Sequence, residues 1–378
     1  MNEDKATRYH RLARRARLLS LALTTALLAG LLLSGTSAAL RNGAALAAGA
    51  LGAPDAVRPA VVVAVYVLFL AVLAELVAFP LGFYRSYVLE RRYGLSTESP
   101  GRWLRDHVKA GLVGLALAEL GAGLVYATLR RWPDAWWAIA ATLCALATIW
   151  LANVAPVLLL PLFYRFKPLE KEALRNRLVG LATKAGTPVL GAYEWTLSDR
   201  TRKANAALAG LGRTRRILVS DTLLAEYSDE EIEVILAHEL AHHVHWDIWT
   251  GLGYDTALTF AGFYAAHRAL QAAAPDLGLQ SLADVAGAPL LLMAAGALSV
   301  LLVPLANAVS RAHERRADRD ALRLTNNPEA FISAMRRLGQ QNLAEEHPSR
   351  LVQTLFYTHP PIQERLRAAR TWSAAPVL

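Results

Sequence analysis

Ser228-Asp229-Glu230-Glu231-Ile232-Glu233-Val234-Ile235-Leu236-Ala237-His238-Glu239-Leu240-Ala241-His242 reads as one capped helix ending in an H-E-x-x-H pentapeptide. Ser228 sits at the N-cap and Glu231 at the third helical position, the spacing of a capping box. Ile232, Ile235 and Leu236 follow as an apolar stripe at helical spacing. The pentapeptide therefore lies about two turns into a helix and not in a loop. Two imidazoles four residues apart differ by only ~40° around the axis, so His238 and His242 can grip one cation from one face. Glu239 projects close to the same point and can take a proton from an attacking water. A buried His-Glu-His cluster without a partner is costly, and a metal ion is the simplest compensation.

A catalytic zinc site needs a third protein ligand and an open position for water. His245 is three residues beyond His242, but one straight helix does not easily wrap three consecutive turns around a tetrahedral ion. Glu314, in Asn307-Ala308-Val309-Ser310-Arg311-Ala312-His313-Glu314-Arg315-Arg316-Ala317-Asp318, is the preferred ligand, supplied by a second helix. Asp318 lies four residues further on the same face, placed to hold a ligating imidazole by its other nitrogen. His243, His245 and Asp247 are read as a polar cluster where the helix surface meets a membrane boundary.

The membrane enters through composition. Of 378 residues, 54% are hydrophobic, above the 45–50% or so of soluble domains, and the excess lies in blocks. Six spans are expected, at about 17–36, 60–84, 107–129, 134–163, 248–271 and 286–311. The first follows a basic leader and is read as an uncleaved anchor. The stretch 43–53 is Ala/Gly-rich and too short to span. The net charge of +9 comes from basic residues beside the apolar blocks, which fits membrane topology and not nucleic acid. Lys and Arg crowd the N-terminus, the 85–109 connection and the segment after Arg165, so the catalytic segment is expected on the cytoplasmic face of a multi-pass cell-membrane protein. Glu75 and Glu119 fall inside expected spans, where a carboxylate faces a partner or a polar cavity. Cys144, the single cysteine, lies in an apolar run and reads as an inert thiol.

Residues 1–165 thus form an N-terminal membrane unit with four spans. The unit 166–371 carries the motifs and two more spans, and 372–378 reads as a flexible tail. Between spans, a charged helix covers 169–185. A hairpin then runs from Lys203 to Ala209, turns at 210–212 and returns from Arg215 to Ser220. Its first strand has small side chains and can offer a free edge to an extended peptide. Asn327-Pro328 starts another helix. His359 stands before Pro360-Pro361, where a lone histidine is more often a cap than a catalyst.

These pieces together resemble one family, the integral-membrane zinc metallopeptidases that include the type I CAAX prenyl protease and the bacterial protease HtpX. The likeness rests on His238–His242, the Asn307/Ser310/Arg311/Glu314/Ala317/Asp318 run, Thr358-His359-Pro360 with Arg365, and Ala204-Asn205-Ala206. Pro161-Leu162-Phe163-Tyr164-Arg165-Phe166-Lys167-Pro168-Leu169-Glu170 is similar to the CAAX-protease branch in particular. The resemblance covers about 160–366. It implies a mainly α fold, a multispanning bundle with a gluzincin-type zinc domain carrying a small β-hairpin or sheet. It implies one Zn2+ held by His238, His242 and Glu314, with Glu239 as general base and then acid. Asn205 and His359 would stabilise the oxyanion, Asp318 would support a ligand, and Ala204, Ala206, Ala207 and Arg365 would meet substrate. The substrate would be a peptide or an unfolded or membrane protein, lipid-modified or not. The sequence departs from eukaryotic members at Ala241, where Gly is usual, and in its span count, since seven is typical. Its Ala/Arg richness points to a bacterial member. A quality-control protease of the HtpX kind and a non-proteolytic metal-binding membrane protein remain the alternatives.

Overall fold

Long apolar runs have no partner for their backbone except themselves, so within a bilayer they must be helices. The computed structural model describes residues 4–210 and 214–372. It opens with α1 (Lys5–Leu33), α2 (Thr36–Ala50) and α3 (Arg58–Phe83). The last continues through a π-helical turn, Tyr84–Leu89, into α4 (Glu90–Arg92). Then come α5 (Pro100–Arg131), α6 (Trp136–Leu158) and a short α7 (Leu160–Phe163). The second half carries β1 (Phe166–Pro168), α8 (Glu172–Lys184), β2 (Ala192–Trp195), β3 (Ala206–Ala209), β4 (Arg216–Ser220), α9 (Asp221–Glu226) and α10 (Asp229–Val244). It closes with α11 (Asp247–Ala273), α12 (Ala288–Thr325), α13 (Pro328–Gln341), α14 (Arg350–Phe356) and α15 (Ile362–Arg370).

Among the described residues, five helices are long and apolar enough to cross a membrane: Lys5–Leu33, Arg58–Arg92, Pro100–Arg131, Trp136–Ala155 and Val285–Thr325. The expected span at 248–271 is a helix of sufficient length, α11, but its composition is too polar to qualify. Asp247, Asp255, His267 and Arg268 interrupt it, and it lies along α12 and α6. The stretch 43–53 falls mostly in α2, whose 15 residues reach only about 22 Å, short of a ~30 Å hydrocarbon layer. Gly35, at φ 73°, turns the chain between α1 and α2, a conformation glycine adopts without cost. Ala44 and Ala48 are fully buried, and α2 packs on α3.

A cavity of about 620 Å³ lies among α3, α5, α6, α11 and α12. Its walls include Val67, Leu70, Ala122, Phe263 and Leu291, with Cys144 at the edge. Neither Glu75 nor Glu119 lines it. Glu75 instead meets His107 Nε2 at 2.7 Å, both side chains partly exposed.

The sheet is larger than the expected hairpin. Four strands run in the order β1-β2-β4-β3. β1 and β2 are antiparallel, β2 and β4 parallel, and β3 and β4 antiparallel, leaving β3 on the edge. The expected turn at 210–212 keeps only Gly210 among the described residues. Of the expected tail only Trp372 is described, and it packs against the catalytic core. That core gathers Leu178 of α8, Ile217 and Val219 of β4, Ile232 and Leu236 of α10, and Phe331 of α13.

Ion pairs tie the membrane helices to this core. Arg14 of α1 meets Glu345 at 2.6 Å, Lys203 meets Glu90 at 2.9 Å, and Arg102 of α5 meets Asp199 at 2.6 Å. The three basic regions noted in the sequence therefore stand at one end of the bundle.

Candidate active site

The capping box forms as its spacing demands. Ser228 Oγ accepts from Glu231 N–H, and the Glu231 carboxylate accepts from Ser228 N–H. With α10 started there, Ile232, Leu236 and Leu240 are fully buried and His238 and His242 turn towards α12. At 38 residues, α12 is about 57 Å long, so one continuous helix can cross the bilayer and still reach α10. Its emerging half carries Asn307 to Asp318. Asn307 Nδ2 donates to Thr354 O at 3.1 Å, and Arg311 donates to Gln353 O and Tyr357 O at 3.0 and 2.7 Å. Those bonds hold α14 and the Thr358-His359-Pro360 turn beside the helix.

Three side chains converge. His238 Nε2 lies 3.1 Å from Glu314 Oε2 and 3.3 Å from His242 Nε2, and His242 Nε2 lies 3.6 Å from Glu314 Oε1. One donor atom from each falls within 4.8 Å of the others. The far nitrogens are both engaged: His238 Nδ1 with Asp318 Oδ1 at 2.9 Å, and His242 Nδ1 with Asp247 Oδ2 at 2.9 Å. A carboxylate at Nδ1 keeps the ring proton there and frees the Nε2 lone pair. Two bare lone pairs and a carboxylate facing one point fit a divalent cation of the borderline kind. Glu314 Oε2, buried without a conventional hydrogen-bond partner, is a further sign of a missing positive charge.

The electrostatics agree. Burial alone would depress His238, but the Asp318 and Glu314 carboxylates outweigh it and push it up to about 9. The surroundings of His238 thus favour a positive charge at this point, and a proton and a metal ion would compete for it. Burial would likewise raise Asp318, yet Arg365 and His238 hold it well below the usual carboxylate range. Arg365 reaches Asp318 twice, by Nε at 2.8 Å and Nη2 at 2.5 Å. Glu239 is different: burial raises it, and the neighbouring histidines only partly offset the effect. It is the carboxylate most ready to accept a proton.

A cleft of about 360 Å³ opens beside these groups. Ala204, Asn205, Ala206, His238, Glu239, His359 and Arg365 all line it, while Ala207 does not. His359 stands over the cluster, exposed, with Nε2 3.2 Å from Glu314 Oε1. The ring is anchored by Thr358 at 2.8 Å.

One reading from sequence changes. His245, set aside there in favour of Glu314, stays out of the cluster. It caps the end of α10 and bonds Asp320 at 2.5 Å. Asp247 is no boundary marker, since its carboxylate is 8% exposed and holds His242, with His313 at 3.6 Å and Arg316 behind it. On a continuous helix, five residues would carry Asp247 ~140° away from His242. The helix ends at Val244, and Trp246 at φ 60° swings the chain back. Helical periodicity contains no signal for that turn.

Comparison with known proteins follows the same division. Residues 168–373 match the model of peptidase family M48, and residues 2–165 match that of the CAAX prenyl protease N-terminal region with five membrane helices. The chain is 31% identical to the uncharacterized metalloprotease YhfN of Bacillus subtilis, across 82% of this chain and 74% of that one. It is 27% identical to CAAX prenyl protease 1 of Saccharomyces cerevisiae, across 79% and 70%. The crystal structure of S. mikatae Ste24p shares the fold with a TM-score of 0.83 at 23% identity, covering 97% of this chain and 87% of that one.

Proposed function

The chain belongs to peptidase family M48 and is a multi-pass membrane metallopeptidase, and from that premise we propose that it is a zinc endopeptidase whose site faces the cytoplasm. His238, His242 and Glu314 hold the ion. The observation carrying this reading is the convergence of two Nε2 lone pairs and one carboxylate, with each ring fixed from behind by Asp318 or Asp247. A zinc ion held there would supply Lewis acidity towards the scissile carbonyl and the attacking water. Glu239 accepts the proton of the attacking water and delivers it to the leaving amine. Asn205 and His359 donate to the developing oxyanion across the cleft. Arg365 fixes Asp318 and faces the cleft, where it helps position substrate.

The substrate is an extended peptide laid along Ala204 and Ala206, since Ala207 pairs inward with β4, and relatives named CAAX prenyl protease point to a lipid-modified C-terminal segment. The cytoplasmic assignment draws support from the basic N-terminus, 85–109 connection and catalytic unit standing at one end. The unit boundary near 165 and the separate tail belong to the same proposal.

The test is cleavage by purified full-length protein, with zinc quantified, in wild type and Glu239→Gln. A farnesylated CAAX peptide and an unfolded membrane protein are offered side by side. Zinc in both proteins with cleavage only in wild type supports the mechanism, and the preferred substrate separates prenyl processing from quality control. Cleavage that persists in Glu239→Gln sinks it.

A further inference from the structure

β3 is a free edge, and the pairing says which of its backbone groups are free. Ser220 N–H donates to Asn205 O at 3.0 Å, so residue 205 faces β4. Antiparallel strands alternate inward and outward pairs. Ala207 and Ala209 therefore also face β4, while Ala206 and Leu208 face outward. The next strand across agrees: Ile217 N–H, one step out of phase, donates to Gly191 O on the β2 side at 3.0 Å.

One of the outward groups is already taken. His243 Nε2 lies 3.2 Å from Leu208 O and donates to it. His243 is one turn beyond Glu239 on α10, and α10 packs along β3. The helix thus runs beside the edge, with Glu239 near Asn205 and His243 near Leu208. Within β3 itself, what remains for a peptide among the described residues is the N–H and C=O of Ala206 and the N–H of Leu208, with Ala204 preceding the strand on the same outward side.

We propose that His243 is a positioning residue that ends the substrate strand. It occupies the carbonyl a longer peptide would use next, so an extended substrate has one full pairing residue within β3, Ala206, and leaves the edge beyond Leu208 N–H. A given substrate residue then has no second full pairing position two residues further along β3, which favours the one register that sets the scissile bond over Glu239. A slip by two residues would preserve the side-chain faces, so the edge itself offers no other barrier against it. This inference rests on the proposed addition of substrate to β3.

The test is a nested peptide series, lengthened by one residue at a time at either end, presented to full-length protein in detergent. Two readouts are taken: KM and product masses with active protein, and Kd by fluorescence anisotropy in the Glu239→Gln background. In wild type, lengthening past the Leu208 N–H contact leaves KM and Kd flat. In His243→Ala, the same lengthening at one end lowers both about three- to tenfold, the range of one added hydrogen bond, and a second product appears displaced by two residues. His243→Gln, which restores a donor, returns the flat profile. Identical length profiles and single products in all three proteins would overturn the proposal, as would a uniform loss at every length, the mark of a purely structural tether. Failure of the peptidase reading is distinguishable: wild type then cleaves nothing, while the Kd series still reports on the edge.

Discussion

Two voids of the described residues, the cleft at the site and the cavity among the membrane helices, differ in what lines them. The cleft of about 360 Å³ is walled by His238, Glu239, Asn205, His359 and Arg365. The membrane cavity of about 620 Å³ is the larger, and its walls are Val67, Leu70, Ala122, Phe263, Leu291 and similar side chains. The two buried carboxylates behind the cleft's histidines are each clamped by partners, because an unpaired charge there would be ruinous. Asp318 is clamped by Arg365 and His238, and Asp247 by His242 and Arg316. The cavity lining is mostly apolar, so packing is its main constraint. The cleft should therefore answer sharply to the loss of single polar atoms, and the cavity weakly to changes of volume.

The severest challenge to the cleft is Glu314→Ala. It removes one of three converging donors, so bound metal should fall from about one per chain to near zero and cleavage should vanish with it. Full metal retention would require another third ligand. Next is Glu239→Gln, expected to lower the cleavage rate by about 10²–10⁴-fold with metal content unchanged. Glu239 also sets a pH dependence. Burial raises its pKa, and only the carboxylate accepts a proton. Activity is therefore lost as pH falls through that raised value, and the acid limb of kcat/KM should lie above the ordinary glutamate range. A limb at the ordinary value would assign the base elsewhere.

His359→Ala tests a side chain that touches the cleft without holding the ion. Loss of one oxyanion donor costs about 10²–10³-fold in kcat, with metal content and KM little changed. A change in KM alone would make His359 a binding residue. Smaller again are Asp318→Asn and Asp247→Asn, each expected to weaken metal binding or activity about 10–100-fold, read by competition with a chelator. The two imidazoles are held alike, so the two variants should behave alike. A gap of more than tenfold would show that Arg365 behind Asp318 adds something Arg316 behind Asp247 does not.

Legibility in the sequence divides along physical lines. The start of α10 and the facing of His238 and His242 are set within a single 15-residue window, where capping and 3.6-residue periodicity act. Glu314 and Asp318 were legible for a related reason: four residues apart on a long helix, they had to share a face. Asp247 was not, because its position depends on one left-handed residue, Trp246. β1 and β2 are three and four residues long, too short for an alternating pattern. α11 shows a different limit. It is long enough to span but packs against α12 and α6, and helices with protein on several sides carry polar residues that a count of apolar ones misjudges. The membrane cavity had no sequence signal of its own, since Glu75 and Glu119, the two residues that suggested it, point elsewhere.

The weakest expected effect comes from the cavity, and it separates two roles for that space. Ala122 of α5 lines the void, and Ala122→Leu fills part of it without adding a charge or removing a hydrogen bond. Gly121→Ala, at a residue lining the same void, serves as the small-volume control, because it adds one methyl that meets nothing within 4 Å. If the cavity is only a gap between helices, cleavage of an unmodified peptide and of its farnesylated counterpart should both stay within about twofold of wild type. Filling a dry apolar gap adds contacts, so thermal stability should hold or rise. A selective rise in KM for the farnesylated peptide with Ala122→Leu, and not with Gly121→Ala, would contradict that expectation. It would mean that an apolar chain enters the void while the peptide lies in the cleft, joining into one site the two regions whose linings differ so sharply.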